Sequence, residues 1–423
     1  RGLRRCLFNY RWSEFTSFRS LCAQENAYLL VRRYDDLPRP VIGVLRLVQV
    51  VAKDEQKPMT PDIQFEKVGR PDDAYIQFLM EAYRGSFNAD RYRSLEQSRD
   101  FFDWEYRQNP APADNKPLVY VCKSDGEYVG QVSLLPDRLH MHDEEVLACW
   151  FQDFIILPSF RGRGLGTRLL DHAFGHLRSV FKVMCAFVTD ERSYSAFASL
   201  GFEHVEYLSK YVLPTNPRAI SSKLSDSFVL QSISSTFLHL FEHGRHLFYG
   251  FGKSARHDIQ EIESFGEDFD RFWRNIANSL GASFVRDRDK LLWRFVYQPT
   301  FGYKIFVARR SGRVQGYIVL KESSLKSGRF QGLRVGIISD LLFDLDDSDT
   351  GAALLRAASQ YFRDRVDLLR CDTLSPHVGH VLRKGGFMRA KPTARFLVHL
   401  LGRSGQSEQS WHLTSADSDL DLY

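Results

Sequence analysis

The sequence predicts an α/β fold with a mixed sheet, arranged as two tandem domains behind a short N-terminal segment. Three observations predict it. A strand, a glycine-bearing loop and a helix follow one another at 149–170 (CWFQDFIILPSFRGRGLGTRLL). Short apolar strands alternate with amphipathic helical stretches on either side of this unit. A set of landmarks recurs later in the chain, which at 423 residues is too long for a single hydrophobic core.

The N-terminal segment, 1–61, is expected to be an Arg-rich stretch ending in a polar linker. Residues 1–60 contain eleven Lys/Arg and six Asp/Glu, whereas the remaining residues balance at 46 of each. This spread charge is typical of a solvated face, so no nucleic-acid partner is expected. The sequence has no apolar run near ~18 residues, which predicts no membrane span. Six scattered cysteines without a Cys-x-x-Cys pair, and no visible secretory signal, favour the cytoplasm.

The first domain is expected over 62–213. Its predicted elements, in order, are a strand at 63–68, helices from Pro71 to near Phe87 and at 95–107, a hairpin with strands at 118–122 and 128–135 around Ser124-Asp125-Gly126, and a strand at 140–147. A further buried strand is predicted at 182–189, followed by a short helix starting near Glu191.

The loop between the strand at 151–157 and the next helix is suited to bind an anion. Pro158 and Ser159 break the strand, and the segment 161–166 (RGRGLG) opens the helix. The first amides of a helix lack intrahelical partners and carry the positive end of the helix dipole, so a diphosphate can bind there. Gly164 and Gly166 let the backbone approach, and Arg161 and Arg163 add two cations.

This arrangement of strand, Pro-x-x-Arg-x-x-Gly-x-Gly and helix resembles the acyl-CoA-binding motif of the GNAT acyltransferase superfamily. Leu200-Gly201-Phe202 is similar to the Leu-Gly-Phe that closes the same superfamily's core. The resemblance implies that acetyl-CoA or another acyl-CoA binds here as a substrate, without a metal. The residues it implies for CoA binding are Phe154, Ile155, Ile156, Arg161, Gly162, Arg163, Gly164, Leu165, Gly166 and Thr167.

Two residues are candidates for proton transfer. Asp153 is the only acid between Cys149 and Ser159 and could accept the amine's proton, although it could equally fix the strand. Many GNAT proteins protonate the leaving thiolate with a tyrosine four residues before the Gly-Phe glycine, a position that is Phe197 here. Tyr194, one helical turn earlier, is the candidate; water or Ser193 remains open, as does core packing for Tyr194. His140 and His142 are weaker alternatives to Asp153.

The second domain is expected over 257–401, after a linker and junction helix at 214–256 that includes a helix at 228–241. Landmarks of the first domain recur at offsets of 185 to 189; Trp104 and Trp293 are one such pair, and Asp153 and Asp340 another. Four aspartates between 344 and 349 replace the basic glycine loop and would repel a diphosphate, so one CoA site per chain is expected. A C-terminal tail, 402–423, is predicted to dock through Trp411.

The resulting hypothesis is an acyl-CoA-dependent acyltransferase, expected to be an N-acetyltransferase, acting on a small amine, amino acid or amino sugar. Two alternatives stay open: a non-catalytic acyl-CoA-binding scaffold, and a Fem-type aminoacyl transferase. The glycine loop argues against the latter because Fem-type members lack it. Neither the oligomeric state nor the acceptor follows from the sequence.

Overall fold

Two mixed β-sheets, each flanked by helices, make up the part of the chain that the structure describes. In this computed structural model the described residues are 62–84, 90–111, 117–224, 258–392, 394–401 and 410–422. They belong to one unit spanning 60–423. The predicted N-terminal segment and the predicted helix at 228–241 lie outside the described residues.

The first half of the described chain forms most of one sheet. Its elements are β1 (Ile63–Val68), α1 (Asp73–Ala82), α2 (Leu95–Arg107), β2 (Leu118–Ser124), β3 (Glu127–Met141), β4 (Glu144–Ile156), α3 (Leu165–Leu177), β5 (Val183–Val188), α4 (Glu191–Ser199), β6 (Glu203–Tyr207), β7 (Ser209–Pro214) and α5 (Pro217–Leu224). The helices begin at polar caps: the side chains of Asp72 and Ser94 accept hydrogen bonds from backbone amides of α1 and α2.

The second half forms most of the other sheet. Its elements are β8 (Asp258–Ile262), α6 (Asp268–Ile276), β9 (Ser283–Phe284), α7 (Arg288–Leu291), a π-helical turn (Leu292–Val296), β10 (Tyr303–Arg310), β11 (Arg313–Ser324), β12 (Arg334–Phe343), α8 (Ser348–Tyr361), β13 (Leu368–Thr373), α9 (Pro376–Lys384), β14 (Met388–Ala390) and β15 (Arg395–Leu400). Short 3-10 turns at Ser415–Asp417 and Leu420–Leu422 end the described chain.

The two sheets have the same strand order, and in each the sixth strand comes from the other half of the chain. The first sheet has the order β1-β2-β3-β4-β5-β15-β6, with β9 also paired to β3. The second sheet, read from the edge strand β8 that corresponds to β1, has the order β8-β10-β11-β12-β13-β7-β14. In both, the fourth and fifth strands are parallel: β4 with β5 and β12 with β13. Because β7 and β15 cross over, the sequence ranges 62–213 and 257–401 each contribute a strand to the other half's sheet.

Equivalent tryptophans meet where the halves join. The rings of Trp104 and Trp293 stack with centroids 5.0 Å apart. Each indole N–H donates to the other residue's carbonyl oxygen, at 2.8 Å from Trp104 and 2.9 Å from Trp293. A contact in which residue i meets j and j meets i in the same way is the signature of a twofold axis. The halves are therefore related here by a local pseudo-twofold.

Most predicted elements lie where the sequence placed them, with two corrections. The strand predicted at 140–147 is wrong: β3 continues to Met141, and the chain turns at His142 and Asp143 before β4 begins. Both turn residues take positive φ (52° and 60°), which suits a tight hairpin, but they lack the Asn-Gly or Asp-Gly signal for one. The linker predicted from Pro214 is wrong in part, because α5 forms within it.

Buried aromatic residues hold the two halves together. One hydrophobic cluster contains side chains from both halves and from the C-terminal segment; among its members are Trp104, Trp150, Phe284, Trp293 and Trp411. Burying large aromatic side chains contributes roughly 1.5–3 kcal/mol each, so this shared cluster fixes one half against the other. Within the described residues, none of the helices combines the length and the apolar character that crossing a bilayer requires.

Candidate functional site

The parallel strands β4 and β5 separate at their C-terminal ends. Their pairing runs from Ala148↔Val183 to Phe151↔Ala186 and stops there. Just beyond, Asp153 adopts positive φ (50°), and the pairing of β4 with β3 shifts register between Gln152 and Ile155. This bulge bends β4 away from β5. A gap therefore opens opposite the backbone of Phe154, Ile155 and Ile156, which the sequence resemblance implies for CoA binding.

A cavity of about 730 Å³ lies at this gap. Residues of β4, β5 and α4 line it, together with residues of β7, β11, β12, β13 and the C-terminal segment. The lining residues include Asp153, Phe154, Arg161, Ser193, Phe197, Lys210, Arg370, Asp372, Asp419 and Leu420. A cavity of this size is in the range of small-molecule sites, and both halves of the chain build it.

The glycine loop ends at the N-terminus of α3, near the mouth of the gap. Gly162 and Gly164 both take positive φ (78° and 73°), and Gly164 is the N-cap residue of α3. The hydrogen bond from Arg168 N to Gly164 O (3.2 Å) is the first of the helix. The amides of Leu165, Gly166 and Thr167 precede it, so they have no intrahelical acceptor and can bind an anion.

The two loop arginines and Gly166 have separate structural environments. Arg161 lines the cavity and donates from Nε to the carbonyl of Ile156 (2.8 Å). Arg163 lies over the ring of Phe160, 5.1 Å from its centroid. A Cβ at Gly166 would lie 3.0 Å from Phe154, so this glycine permits close packing of α3 on β4. Gly166 therefore has two features that matter here, a free backbone amide and the absence of a side chain between α3 and β4.

Asp153 is buried in a hydrogen-bonded cluster at the cavity wall. It accepts from the hydroxyls of Tyr83 (2.9 Å) and Tyr106 (3.4 Å) and forms an ion pair with Arg91 (3.3 Å). Arg91 also pairs with Asp419 (3.3 Å). Burial raises the pKa of Asp153 above its ordinary value, and the nearby Asp419 carboxylate acts in the same direction against Arg91. A carboxylate with a raised pKa is a better proton acceptor than an ordinary aspartate.

Glu105 adds a second buried acid behind this cluster. Its Oε1 accepts from Gln152 (2.8 Å), and its Oε2 has no hydrogen-bond partner within the described ranges. Burial, with help from Asp153, raises the pKa of Glu105 to about 8. The side chain is therefore protonated at neutral pH, which avoids burying a second uncompensated charge beside Asp153.

The structure changes the order of preference among the candidates for protonating the leaving thiolate. Tyr194 does not appear among the described cavity-lining residues; the guanidinium of Arg395 lies over its ring at 4.6 Å. Ser193 and Phe197 line the cavity instead, and the Ser193 hydroxyl donates to Asp190 (2.7 Å). Geometry thus favours Ser193 or water over Tyr194, because Ser193 lines the cavity, whereas Tyr194 packs against the core cluster that contains Phe197.

The two histidine alternatives also lie away from the cavity. His140 is buried, with its ring 6.2 Å from that of Trp273, and His142 occupies the β3–β4 turn. Neither is among the described cavity-lining residues. Asp153 remains the candidate among the acids and histidines that the sequence analysis named.

The second half has the same gap, but the C-terminal segment fills it. Pairing of β12 with β13 stops at Ile338↔Cys371. Thr414 then bridges to Thr373, and the amide of Leu374 donates to Leu413 O (2.9 Å). The predicted docking of the tail is consistent with this burial of 411–422.

The carboxylates of the C-terminal segment meet buried arginines. Asp417 pairs with Arg286 at 2.7 Å, Asp419 with Arg91 at 3.3 Å, and Asp421 with Arg294. Sequence analysis did not identify these arginines as site residues. The alternation of Asp417, Asp419 and Asp421 was an available signal, but their partners are too distant along the chain to be found by spacing.

Comparisons with known proteins place the first half of the chain beside acetyltransferases. The acetyltransferase (GNAT) family model matches residues 73–202. An uncharacterised N-acetyltransferase of Methanocaldococcus jannaschii is 24% identical over 144 residues, which cover 33% of this chain and 60% of that protein. The alignment thus spans less than two thirds of the curated relative's length.

Solved structures show the same fold over most of the chain. A GCN5-related N-acetyltransferase from Anabaena variabilis has a TM-score of 0.53 at 13% identity, covering 80% of this chain and 73% of that one. N-myristoyltransferase of Saccharomyces cerevisiae with bound myristoyl-CoA has a TM-score of 0.53 at 10% identity, covering 82% and 84%. At these identities the likeness extends to the fold alone.

Proposed function

We propose that this protein is an N-acyltransferase that moves an acyl group from coenzyme A to the amine of a small molecule. The match of residues 73–202 to the acetyltransferase (GNAT) family model supports the proposal. The observation that carries the proposal is the gap between β4 and β5, which has the free N-terminus of α3 at its mouth and the cavity behind it. The family uses acyl-CoA thioesters, and the loop of this chain suits a diphosphate.

The donor side consists mainly of backbone groups. The amides of Leu165, Gly166 and Thr167 would bind the diphosphate, with Arg161 and Arg163 adding positive charge. Because β5 leaves β4 after Phe151, the backbone of Phe154 to Ile156 is available to an extended chain such as pantetheine, which would add to the sheet as a strand does.

The acceptor side must handle two protons. As the amine nitrogen bonds to the carbonyl carbon and the carbon–sulfur bond breaks, the nitrogen loses one proton and the sulfur gains one. Asp153 or Asp419 would take the amine's proton, directly or through water, since both line the cavity. Ser193 or water would supply the proton to sulfur, because the Ser193 side chain lies on the wall near the gap.

Thiol release from acyl-CoA tests this proposal directly. We expect release from acetyl-CoA, or from a longer acyl-CoA such as octanoyl- or myristoyl-CoA, to depend on an added amine drawn from amino acids, amino sugars and alkylamines. The matched control is Gly164→Asp, which should abolish release by preventing donor binding. Acyl-CoA binding without amine-dependent release with any of these acceptors would instead support a scaffold protein.

Aminoacyl transfer is the remaining enzymatic alternative. We propose that it is excluded because this chain has a glycine loop suited to a diphosphate, which Fem-type members lack. Transfer from charged tRNA, measured with a radiolabelled amino acid and unaffected by Gly164→Asp, would contradict this exclusion.

A cytoplasmic location is likewise our proposal. It is supported by four cysteines whose thiols are buried and free: Cys122, Cys149, Cys185 and Cys371.

A further inference from the structure

The C-terminal segment, 411–422, contributes to the clefts of both halves. Its first part enters the cleft of the second half, where Thr414 bridges to Thr373. A few residues further along the chain, Asp419 and Leu420 line the cavity of the first half. One short segment therefore fills one cleft and also forms part of the wall of the other.

This part of the wall lies at the end of the cavity where the reaction would take place. The glycine loop that suits a diphosphate follows Ile156, so a pantetheine arm on the backbone of Phe154 to Ile156 has its thioester end toward Asp153. Asp153 and Asp419 pair with the same guanidinium, that of Arg91, each at 3.3 Å. The C-terminal segment is thus one arginine away from the thioester end of the donor.

Arg294 binds this segment at three residues. Its Nε donates to the carbonyl of Ala416 (3.0 Å), and its Nη2 donates to the carbonyl of Ser418 (2.9 Å) and pairs with Asp421. The guanidinium is buried, and its planar fork of N–H donors suits several acceptors at fixed positions. The two cavity-lining residues of the segment lie between Ser418 and Asp421, so Arg294 holds the chain on both sides of them.

Asp421 has further partners in the second sheet. Its buried carboxylate accepts from the hydroxyl of Tyr303 on β10 (2.8 Å), and its backbone carbonyl accepts from Lys321 on β11. These hydrogen bonds attach the segment to two neighbouring strands. The position of this part of the wall therefore depends on the second half of the chain.

The location of Arg294 supports a role beyond packing. The residue follows Trp293, which stacks on Trp104 at the local twofold, and it lies in the π-helical turn Leu292–Val296. Such turns are rare and frequently occur at functional sites. The equivalent residue of the first half, Glu105, accepts a hydrogen bond from β4 instead. The arginine thus occurs in the half whose cleft the C-terminal segment fills.

We propose that Arg294 is a positioning residue for the acyl transfer, acting through the C-terminal segment to fix Asp419 and Leu420 at the thioester end of the cavity. The acceptor then binds against a wall that the second half holds in place. This gives the second half a role in the reaction, although its own cleft is filled. The inference rests on the proposed acyl transfer.

Arg294→Gln tests the inference, because glutamine lacks both the charge and the fork of donors. We expect kcat/KM for the acceptor to fall by about tenfold to 100-fold, since a misplacement of about 1 Å at a reaction site can cost that much. The Kd for CoA, measured by calorimetry, should stay unchanged. The residues that Arg294 contacts in the C-terminal segment belong neither to the glycine loop nor to β4.

Three further variants keep the test independent of a general loss of structure. Tyr303→Phe removes one hydrogen bond to Asp421 but keeps Arg294, so it should lower kcat/KM by a smaller factor. Arg294→Lys keeps the charge and should recover part of what Arg294→Gln loses. Arg309→Gln removes an ion pair of the same half, with Asp268 at 2.6 Å, and should change neither constant.

Hydrogen exchange separates this inference from the proposed function. The amides of residues 416–421 should exchange faster in Arg294→Gln than in the parent, and unchanged exchange would overturn the inference. Faster exchange with an unchanged kcat/KM would also overturn it, while leaving acyl transfer intact. If Arg294→Gln loses CoA binding as well, Tyr303→Phe decides, and a kcat/KM equal to the parent's overturns the inference. A parent that transfers an acyl group to no acceptor overturns the proposed function and this inference with it.

Discussion

In both sheets a cleft lies between the ends of the fourth and fifth strands. The cleft of the first half opens on a cavity, whereas that of the second half contains the C-terminal segment. In the first half, strand pairing stops at Phe151↔Ala186 and a cavity follows. In the second, pairing stops at Ile338↔Cys371 and the C-terminal segment enters, bridging Thr414 to Thr373. A splayed pair of parallel strands leaves backbone groups that need partners. In one half they are available to a ligand, and in the other the chain itself satisfies them.

The helix that follows each cleft shows the same contrast in charge. The N-cap of α3 is Gly164, whereas the N-cap of α8 is Asp347, whose side chain accepts from Thr350 N (3.2 Å). In both halves a glycine lets the helix pack closely on an aromatic side chain of the preceding strand. A Cβ at Gly166 would lie 3.0 Å from Phe154, and one at Gly351 would lie 2.9 Å from Phe343. The halves therefore share their packing and differ in whether the helix N-terminus is available to an anion.

Buried charges at matched positions also differ. Asp153 and Asp340 both pair with an arginine, yet burial raises the pKa of Asp153, while Arg286 holds that of Asp340 below its ordinary value. Glu105 follows Trp104, and Arg294 follows the equivalent Trp293. A buried carboxylate paired with an arginine thus occurs in both halves. We propose that only the one facing the cavity acquired chemistry.

The largest expected effect is on the filled cleft. Asp417→Ala removes the acceptor of the Thr414 amide (2.7 Å) and one of the two carboxylates that pair with Arg286. It should lower the free energy of unfolding by about 2–4 kcal/mol, because two hydrogen bonds to a buried carboxylate are lost. Asp349→Ala, which removes an exposed acid from the first turn of α8, should cost less than about 1 kcal/mol. Urea unfolding measures both. Equal losses would mean that the C-terminal segment is not held through Arg286.

The next effect distinguishes Glu105 from its counterpart Arg294. Since the folded pKa of Glu105 is about 8, above its ordinary 4.5, the folded state binds more protons between these values and stability falls as pH rises. The slope is at most roughly 1.4 kcal/mol per pH unit. Glu105→Gln should remove this contribution and make the variant more stable than the parent at pH 8. Unfolding curves that keep the parent's pH dependence would contradict a protonated Glu105.

A third expected effect concerns the free helix N-terminus. Gly164→Asp gives α3 the cap that α8 has, and it should weaken CoA binding by at least about 100-fold through the loss of hydrogen bonds to charged oxygens. Gly164→Ala adds the same positive-φ strain, of about 1 kcal/mol, without the charge. Calorimetry should show one site in the parent and a much smaller loss for Gly164→Ala. Equal losses would assign the effect to strain.

The smallest expected effect tests the pseudo-twofold. Trp104→Phe and Trp293→Phe each remove one of the reciprocal hydrogen bonds, and each should cost about 1 kcal/mol in unfolding free energy. Because the rings stack on each other, we expect the double variant to show a coupling energy of about 0.5 kcal/mol or more. Strictly additive losses would mean that the two indoles act independently.

Local sequence patterns determined the secondary structure and the glycine loop. The bounds of α2 at 95–107, of β1 at 63–68 and the start of α4 at Glu191 follow from capping residues and apolar periodicity. The positive φ at Gly164 and the start of α3 follow from the glycine-bearing loop. The β3–β4 turn was missed because His142 and Asp143 take positive φ without a residue type that signals it.

Tertiary structure decided which half each strand joins and which side chains meet at the cavity. Both β7 and β15 carry ordinary strand patterns, and their exchange between sheets leaves no trace in either pattern. Arg91 lies 62 residues from Asp153 and 328 from Asp419 along the chain, so no spacing rule could have joined them. Periodicity and capping act over a few residues, whereas the charge balance of a buried cluster depends on distances in space. The glycine loop could therefore be predicted from the sequence. The cluster of Asp153, Arg91 and Asp419 could be found only in the folded structure.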